Sequence, residues 1–365
     1  MHLLHILPGF ETGGTQLRLC SILNRLPFEA RHTIVALNGD FETAGRLDPG
    51  VTRQLVSPPA HCGPLALRRL VRRLRPDLLL TYNWGAIEAV IGTFLLPPCP
   101  IVHCEGGVNA DEAGRVKARR ALTRRLVLNR IYQTVVVSRA LERVALQHYG
   151  LRPDKVRYIR TGVDTERFRP GGSRELRRAL GVPDGALVFG FTGRLVIEKS
   201  LEMLLDAFAS LRIPEARLML VGEGPCRADL ERRAGQGVIF TGRVEDSAPY
   251  YAAMDIFVMS SVTEQTPNAL LEAMACGLPA VCTDVGDTSQ ILGERAVAPG
   301  DSARYRDALL RVAGDAALRA ALGARNRQRA VDLFSVSRMV EEYAGLWLEA
   351  LGREPRPKGS GFGKK

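Results

Sequence analysis

Glu264 and Glu272 stand eight positions apart in Glu264-Gln265-Thr266-Pro267-Asn268-Ala269-Leu270-Leu271-Glu272. Asn268 reads as the N-cap of a helix, so Glu272 falls in its first turns and Glu264 in the loop before it. Carboxylates accept hydrogen bonds from both hydroxyls of a vicinal diol, and amides around positions 266–269 suit phosphate or sugar oxygens. One glutamate would hold a sugar and the other a ribose, with a diphosphate between them. The plainer alternative is that Glu272 only complements the helix dipole and Glu264 is exposed.

Arg194 and Lys199 form a second pair in Thr192-Gly193-Arg194-Leu195-Val196-Ile197-Glu198-Lys199-Ser200, directly after an apolar run. Arg194 belongs to a loop and Lys199 to the start of the next helix. A lysine at a positively polarised helix N-terminus is unfavourable unless an anion is present. With the free helix amides, the two cations suit a pyrophosphate and would stabilise charge building on a diphosphate leaving group. Two solvated surface charges are the alternative.

The elements that must position these residues alternate between short apolar runs and amphipathic stretches. Strands are expected at Leu3–Leu7, His32–Leu37, Leu78–Tyr82, Ile101–Cys104, Thr134–Val137 and Val156–Ile159. A second set follows at Leu187–Thr192, Arg217–Val221, Val238–Thr241, Ile256–Met259 and Ala280–Thr283. Helices between them, such as Thr15–Leu26, Leu65–Leu74, Leu201–Leu211 and Ala269–Ala275, imply parallel sheets covered on both faces. The 365 residues exceed one ordinary core and suit two Rossmann-like domains, 1–170 and 171–336. A last helix over 337–352 returns to the first domain, and the Pro/Gly/Lys-rich tail 353–365 reads as disordered. Ligands bind at the C-terminal ends of strands in such sheets, which is where the unusual residues fall.

The ordered set formed by Arg194-x4-Lys199, Val221-Gly222-Glu223-Gly224-Pro225, Thr241-Gly242-Arg243-Val244 and Glu264-x7-Glu272, running into Ala273-Met274-Ala275-Cys276-Gly277-Leu278-Pro279, resembles glycosyltransferase family 4. Weaker matches upstream are Gly13-Gly14 and Gly162-Val163-Asp164. The resemblance implies two facing Rossmann-like domains, the glycosyltransferase-B fold, with a deep cleft between them. It implies a metal-independent transfer of sugar, with retention, from a UDP- or GDP-linked donor to a glycan or lipid-linked acceptor. Cell-surface polysaccharide or glycolipid synthesis would be the setting. By position, Arg194 and Lys199 would bind the diphosphate, Glu272 the ribose and Glu264 the donor sugar. Thr266, Pro267, Asn268 and Ala269 would line the phosphates, with Gly222 and the backbone near Val244 completing the donor site. Gly13 and Gly14 would let backbone approach the donor phosphates.

The chain departs from the family's habit after the fourth expected strand. His103-Cys104-Glu105-Gly106-Gly107 has Gly106 where a histidine is usual, so His103 or Glu105 is the candidate to meet the sugar near the reacting bond. A histidine closing a buried strand is the alternative. Thr161 stands where Asn is usual, and Asp287 and Gln290 replace the more typical Gly and Glu. A metal site built from His103, Cys104 and Glu105 with His61 and Cys62 matches no zinc spacing.

Charge is uneven. Residues 1–170 carry 25 Lys/Arg against 14 Asp/Glu, whereas 171–352 carry 20 against 24, so an anionic partner is expected for the first half only. Arg115, Lys117, Arg119, Arg120, Arg124 and Arg125 lie in one helical stretch ending at Arg130, with apolar residues at helical spacing. Such a helix suits an anionic membrane surface. The alternative places Leu122, Leu126 and Val127 in the core and leaves the arginines solvated. No apolar run approaches a membrane span, the N-terminus reads as a strand rather than a signal peptide, and seven scattered cysteines suggest reduced thiols. A cytoplasmic enzyme at the inner face of the membrane is expected. Nucleic-acid binding is the competing class, disfavoured because aromatics are not interleaved with the charge. An epimerase or phosphorylase on the same fold is the enzymatic competitor. The chain has neither a Gly-x-Gly-x-x-Gly dinucleotide fingerprint nor a phosphate loop of the nucleoside-triphosphatase kind.

Overall fold

A computed structural model describes residues 1–58, 62–107 and 116–353. The expected tail, Arg115 and His61 lie outside the described residues, apart from Arg353. The chain divides into two compact units, one formed by the residues up to Arg160 together with the segment from Ser337, the other by Thr161–Val336.

Unit one carries β1 (His2–Leu7), α1 (Gly14–Leu23), β2 (Arg31–Ala36), β3 (Arg53–Val56), α2 (Pro64–Leu74), β4 (Leu78–Tyr82), α3 (Ile87–Thr93), β5 (Ile101–Glu105), α4 (Ala118–Leu128), β6 (Gln133–Val136), α5 (Arg139–Gln147) and β7 (Val156–Tyr158). Its sheet is parallel, in the order β3-β2-β1-β4-β5-β6-β7. β3 was not expected, because Arg53-Gln54-Leu55-Val56 is an exposed edge strand with no apolar run to signal it. α5 starts at a side-chain cap, where Ser138 Oγ accepts from Leu141 N.

Unit two carries α6 (Arg174–Ala179), β8 (Val188–Thr192), α7 (Leu201–Leu211), β9 (Arg217–Val221), α8 (Arg227–Arg233), β10 (Val238–Gly242), α9 (Ala248–Ala252), β11 (Ile256–Met259), α10 (Asn268–Ala275), β12 (Ala280–Cys282), α11 (Thr288–Leu292), α12 (Ser302–Gly314) and α13 (Ala316–Phe334). Its five parallel strands run β10-β9-β8-β11-β12. Alternate residues feed opposite faces: Met219, Val221, Phe257 and Met259 pack with α10, while Leu218, Leu220, Ile256 and Val258 pack with α7 and α12. Both faces are therefore apolar and both need helices. Truncating fully buried Phe257 to Ala would cost about 3–5 kcal/mol.

Residues 161–170, expected in the first domain, instead belong to unit two. Val163 N donates to Phe334 O at 2.7 Å, and Arg327 Nη1 donates to the carbonyls of Thr165, Phe168 and Ala275. Loop composition signals an absence of regular structure, not an absence of anchors. The last helix, α14 (Val336–Ala350), returns from Ser337 onward to unit one. There Trp347 is fully buried with its ring edge toward His5, centroids 5.9 Å apart, and Glu349 pairs with Arg157 at 2.6 Å.

Each sheet has one place where the strand order reverses, between β1 and β4 in unit one and between β8 and β11 in unit two. Loops leaving the C-terminal ends of those strands diverge and open a crevice.

Candidate functional site

In unit two that crevice collects the expected donor residues. After β8 the chain turns through Gly193 and Arg194, makes a single 3-10 turn at Ile197–Lys199, and enters α7 behind Ser200. Lys199 thus sits in the turn before α7 rather than within it. After β11, Ser260 Oγ donates to the carbonyls of Lys199 and Ser200 at 2.8 and 3.0 Å, and Val262 N donates to Glu198 O at 2.9 Å. These bonds hold the two loops edge to edge. Lys199 Nζ and Glu264 Oε1 consequently form an ion pair, and Ser261 Oγ donates to the same carboxylate oxygen at 3.0 Å. Arg194 is exposed and makes no ion pair or side-chain hydrogen bond among the described residues.

Glycines at 222 and 224 explain how the next loop fits. Gly193 N donates to Val221 O and Leu195 N to Glu223 O, both at 2.9 Å. A Cβ on Gly222 would collide with Gly193 O, and one on Gly224 with Leu195 O; Gly222 also holds φ at 140°, where a side chain is strained. Gly222 N donates to Gly242 O, which carries the contact on to β10 and the half-buried Val244 beyond it.

α10 begins differently from the expectation. Pro267 is the N-cap, Asn268 is the first helical residue, and no side chain caps the helix. Leu270 N and Leu271 N both turn to Pro267 O, so the amides of Asn268 and Ala269 head a first turn with no intrahelical acceptor. Gly286 lies so close behind the carbonyls of Glu264 and Gln265 that a Cβ there would strike both. Glu272 is half-buried and receives a hydrogen bond from Tyr251 Oη at 2.7 Å. Burial is the main reason its carboxyl is pushed up to about 7, with the Tyr251 bond and the Arg167 charge acting against it. Tyr251, fully buried, was not singled out in the sequence because an isolated tyrosine in a short helix carries no spacing signal.

The other candidates lie in unit one. Gly13 is the N-cap of α1 in an ordinary extended conformation, and Gly14 is its first residue; Gln16 Nε2 donates back to Gly9 O at 3.0 Å. His103 and Glu105 share one face of β5 and are both buried. His103 Nδ1 meets Thr81 Oγ1 at 2.8 Å and its Nε2 lies 3.4 Å from Glu105 Oε1. Glu105 accepts from Arg124 Nε at 2.7 Å. Burial alone would raise the Glu105 carboxyl, but His103 and Arg124 outweigh it and hold it below the usual range. The alternative of a buried-strand histidine therefore describes His103, and Glu105 is engaged by a structural partner.

That partner corrects the reading of the basic helix. Arg124 was placed among the residues facing an anionic surface, yet it is fully buried, with its guanidinium 4.6 Å from the Trp84 ring and 4.4 Å from that of Tyr149. Arg120 is half-buried, 5.2 Å from Trp84. Lys117, Arg119 and Arg125 are exposed, and between them Leu122 and Leu126 are 56% and 48% exposed, contrary to the core position considered for both. Val127 is in the core. Helical spacing shows that one face must be buried, and here burying an arginine against a glutamate and two rings displaced two leucines outward.

Among the described residues no three His, Cys, Asp or Glu side chains cluster as a metal site, and Cys104 points to the face of β5 opposite His103 and Glu105. Five of the seven cysteine thiols are buried. No described helix is long and apolar enough to cross a membrane. A concavity of 910 Å³ lies at the other end of the unit-one sheet among Met1, Arg31, His32 and Thr52, away from every candidate above.

The family model described as Glycosyl transferases group 1 matches residues 186–315, and that described as Glycosyltransferase Family 4 matches residues 13–167. The chain belongs to glycosyltransferase family 4. The two matches in chain order account for both units and contain every donor-side residue named above. Solved structures agree on the fold: Anabaena Alr3699/HepE in complex with UDP superposes with a TM-score of 0.82 at 20% identity, over 96% of this chain and 100% of that one. Sucrose-phosphate synthase from Thermosynechococcus elongatus gives 0.80 at 19%, over 96% and 100%. Among curated family relatives, the sulfoquinovosyl transferase SQD2 of Arabidopsis thaliana is 36% identical over 44% of this chain and 32% of its own length. A D-inositol 3-phosphate glycosyltransferase of Saccharomonospora viridis is 33% identical over 56% and 52%. The chain thus spans about half or less of the curated relatives it matches.

Proposed function

We propose that this family-4 protein transfers a sugar, with retention, from a nucleotide-diphospho-sugar to a hydroxyl of a glycan or lipid-linked acceptor. The observation that carries the reading is the convergence of Lys199, Glu264 and the uncapped N-terminus of α10 at the strand-order reversal of unit two, with Arg194 exposed alongside. Two cations and free amides complement a diphosphate, and carboxylates on either side complement hydroxyls. Arg194 and Lys199 neutralise the departing diphosphate, Glu264 orients the sugar, and Glu272 takes the ribose. Thr266, Pro267, Asn268 and Ala269 line the phosphates, and Gly222 with Val244 borders the base. The acceptor hydroxyl attacks on the face the diphosphate leaves, and a departing phosphate oxygen accepts its proton. These steps ask nothing of a metal ion. Melting of the purified protein is to be followed against UDP- and GDP-sugars and against nucleic acid. Stabilisation by a nucleotide sugar is expected; a response to nucleic acid alone would reject the reading.

The same reading places the enzyme at the inner face of the membrane in polysaccharide or glycolipid synthesis. Lys117, Arg119 and Arg125 flanking exposed Leu122 and Leu126 on α4 give cationic contact with headgroups and apolar contact with the acyl boundary. Sedimentation with anionic vesicles but not neutral ones is expected. Equal failure to sediment with both would remove the membrane from the account.

A further inference from the structure

The strand-order reversal of unit one, between β1 and β4, holds a cation that the donor chemistry leaves unused. Arg18 lies one turn into α1, and its Nη2 is buried without a hydrogen-bond partner. Around the guanidinium stand the Tyr82, Tyr343 and Cys104 side chains. Burial raises the pKa of all three, so each is neutral near pH 7 and none balances the charge. Among the described residues Arg18 has no carboxylate partner. The nearest candidate in the strand, Glu105, faces the other side of β5 and is already bound to Arg124.

Three post-strand segments close on the same point. Asn83, directly after β4, holds φ at 57°, a left-handed conformation that side chains favour little. In that posture its Oδ1 accepts from Gly106 N at 2.7 Å and its Nδ2 reaches Thr15 Oγ1 at 3.4 Å. Gly106 is bare for a reason: a Cβ there would stand 2.5 Å from Thr15 Oγ1 and 3.0 Å from Arg18 Nη2. Any side chain at 106 would fill the space in front of the guanidinium. Arg18 is half-buried, but leaving its buried Nη2 unsatisfied is costly and a left-handed asparagine adds strain, which is the pattern expected where a ligand completes the site.

We propose that Arg18, with Thr15 and Asn83, forms an anion subsite in unit one that receives a phosphate or carboxylate carried by the acceptor. The subsite rests on the sugar-transfer reading for its role but not for its existence. Its chemistry differs from the donor grip, since a single fork of guanidinium hydrogens beside neutral hydroxyls suits one terminal anionic group. The acceptor class implied is a phosphorylated or acidic sugar, polyol or lipid head rather than a neutral glycan.

The test is thermal unfolding of the full chain and of Arg18→Met and Arg18→Lys, in chloride and in inorganic phosphate at matched ionic strength. The subsite predicts that phosphate raises the wild-type midpoint by several degrees more than that of R18M, with R18K between them. A phosphate shift of the same size in wild type and R18M overturns it. The experiment is repeated with saturating UDP and GDP, because the donor's own diphosphate is the other possible source of the anion. An Arg18-dependent shift that persists supports an acceptor group; one abolished by the nucleotide assigns Arg18 to the donor and overturns the proposal. Calorimetry of the wild type with nucleotide sugars reports separately on unit two. No donor binding alongside an intact Arg18-dependent shift would sink the sugar-transfer reading and leave the anion subsite standing.

Discussion

Lys199 Nζ and Glu264 Oε1 form an ion pair that joins the loop after β8 to the loop after β11. A partly exposed pair of this kind contributes only about 0–1 kcal/mol to stability, so its placement at the strand-order reversal is better explained by ligand chemistry than by folding. Lys199→Ala and Glu264→Ala should each lower kcat/KM by about a hundred- to a thousand-fold while the melting temperature barely moves. Steady-state kinetics beside a melting curve check both halves. A large drop in melting temperature would mean the pair is structural.

Glu272 gives the site a pH dependence. Its carboxyl, raised by burial to about 7, is protonated below that pH, and the carboxylate accepts hydrogen bonds from ribose hydroxyls more strongly than the acid does. Donor affinity should therefore rise as pH increases through about 7. The stability sign is the opposite: a carboxyl raised in the fold stabilises it below the unfolded value of 4.5, and that contribution is lost as pH rises through about 7. Tyr251→Phe removes the bond that favours the charged form, so the affinity midpoint should move up. Calorimetric titration of nucleotide across the pH range reads this, and a flat profile would remove Glu272 from the ribose.

His5 and His32 share a hydrogen bond at 3.1 Å inside unit one, and His5 also meets Tyr82 Oη at 2.9 Å. Burial, then the neighbouring histidines, lowers both; His32 falls from 6.5 to about 4, with the N-terminal ammonium contributing. Histidines depressed in the fold contribute stability that is present above the unfolded value and lost as pH falls through the folded one. The chain should lose stability from about pH 6.5 downward to about 4. His32→Asn should flatten that limb, and urea unfolding at a series of pH values measures it.

Glu105 and Arg124 are a buried pair, and removing one partner leaves the other's buried charge uncompensated by it. Glu105→Gln or Arg124→Met should destabilise the chain by about 3–5 kcal/mol, seen in chemical denaturation. Arg125→Ala, exposed one residue away, should change stability by less than about 0.5 kcal/mol and reduce only sedimentation with anionic vesicles.

The parallel sheets, and the position of Arg194, Lys199 and Glu264 in loops at strand ends, were legible because each lies at a junction of an apolar run, a turn and a charge. Leu78–Tyr82, Arg217–Val221, Ile256–Met259 and Leu201–Leu211 have the same bounds in sequence and structure. What failed to show was whatever depends on the partner across space. Arg124 and Arg125 are neighbours of the same type, yet one is in the core and the other in solvent, because only the fold brings Glu105, Trp84 and Tyr149 to the first. Arg18 resembles any basic residue of an amphipathic helix until Asn83 and Gly106 arrive from two other strands. Asn268 looked like a cap by residue type, but Pro267 fixes the turn one position earlier.

The central claim, that unit two grips a nucleotide-diphospho-sugar through the Lys199 and Glu264 loops, is tested most directly by calorimetric titration of the purified chain with UDP- and GDP-sugars. The wild type and Lys199→Ala are compared, with transfer by Glu264→Ala measured on the donor that binds. The account predicts saturable binding of one nucleotide sugar by the wild type, binding at least about tenfold weaker in the lysine variant, and transfer lowered at least about a hundredfold in the glutamate variant. Absence of binding to every nucleotide sugar, or near-normal turnover by Glu264→Ala, would contradict it.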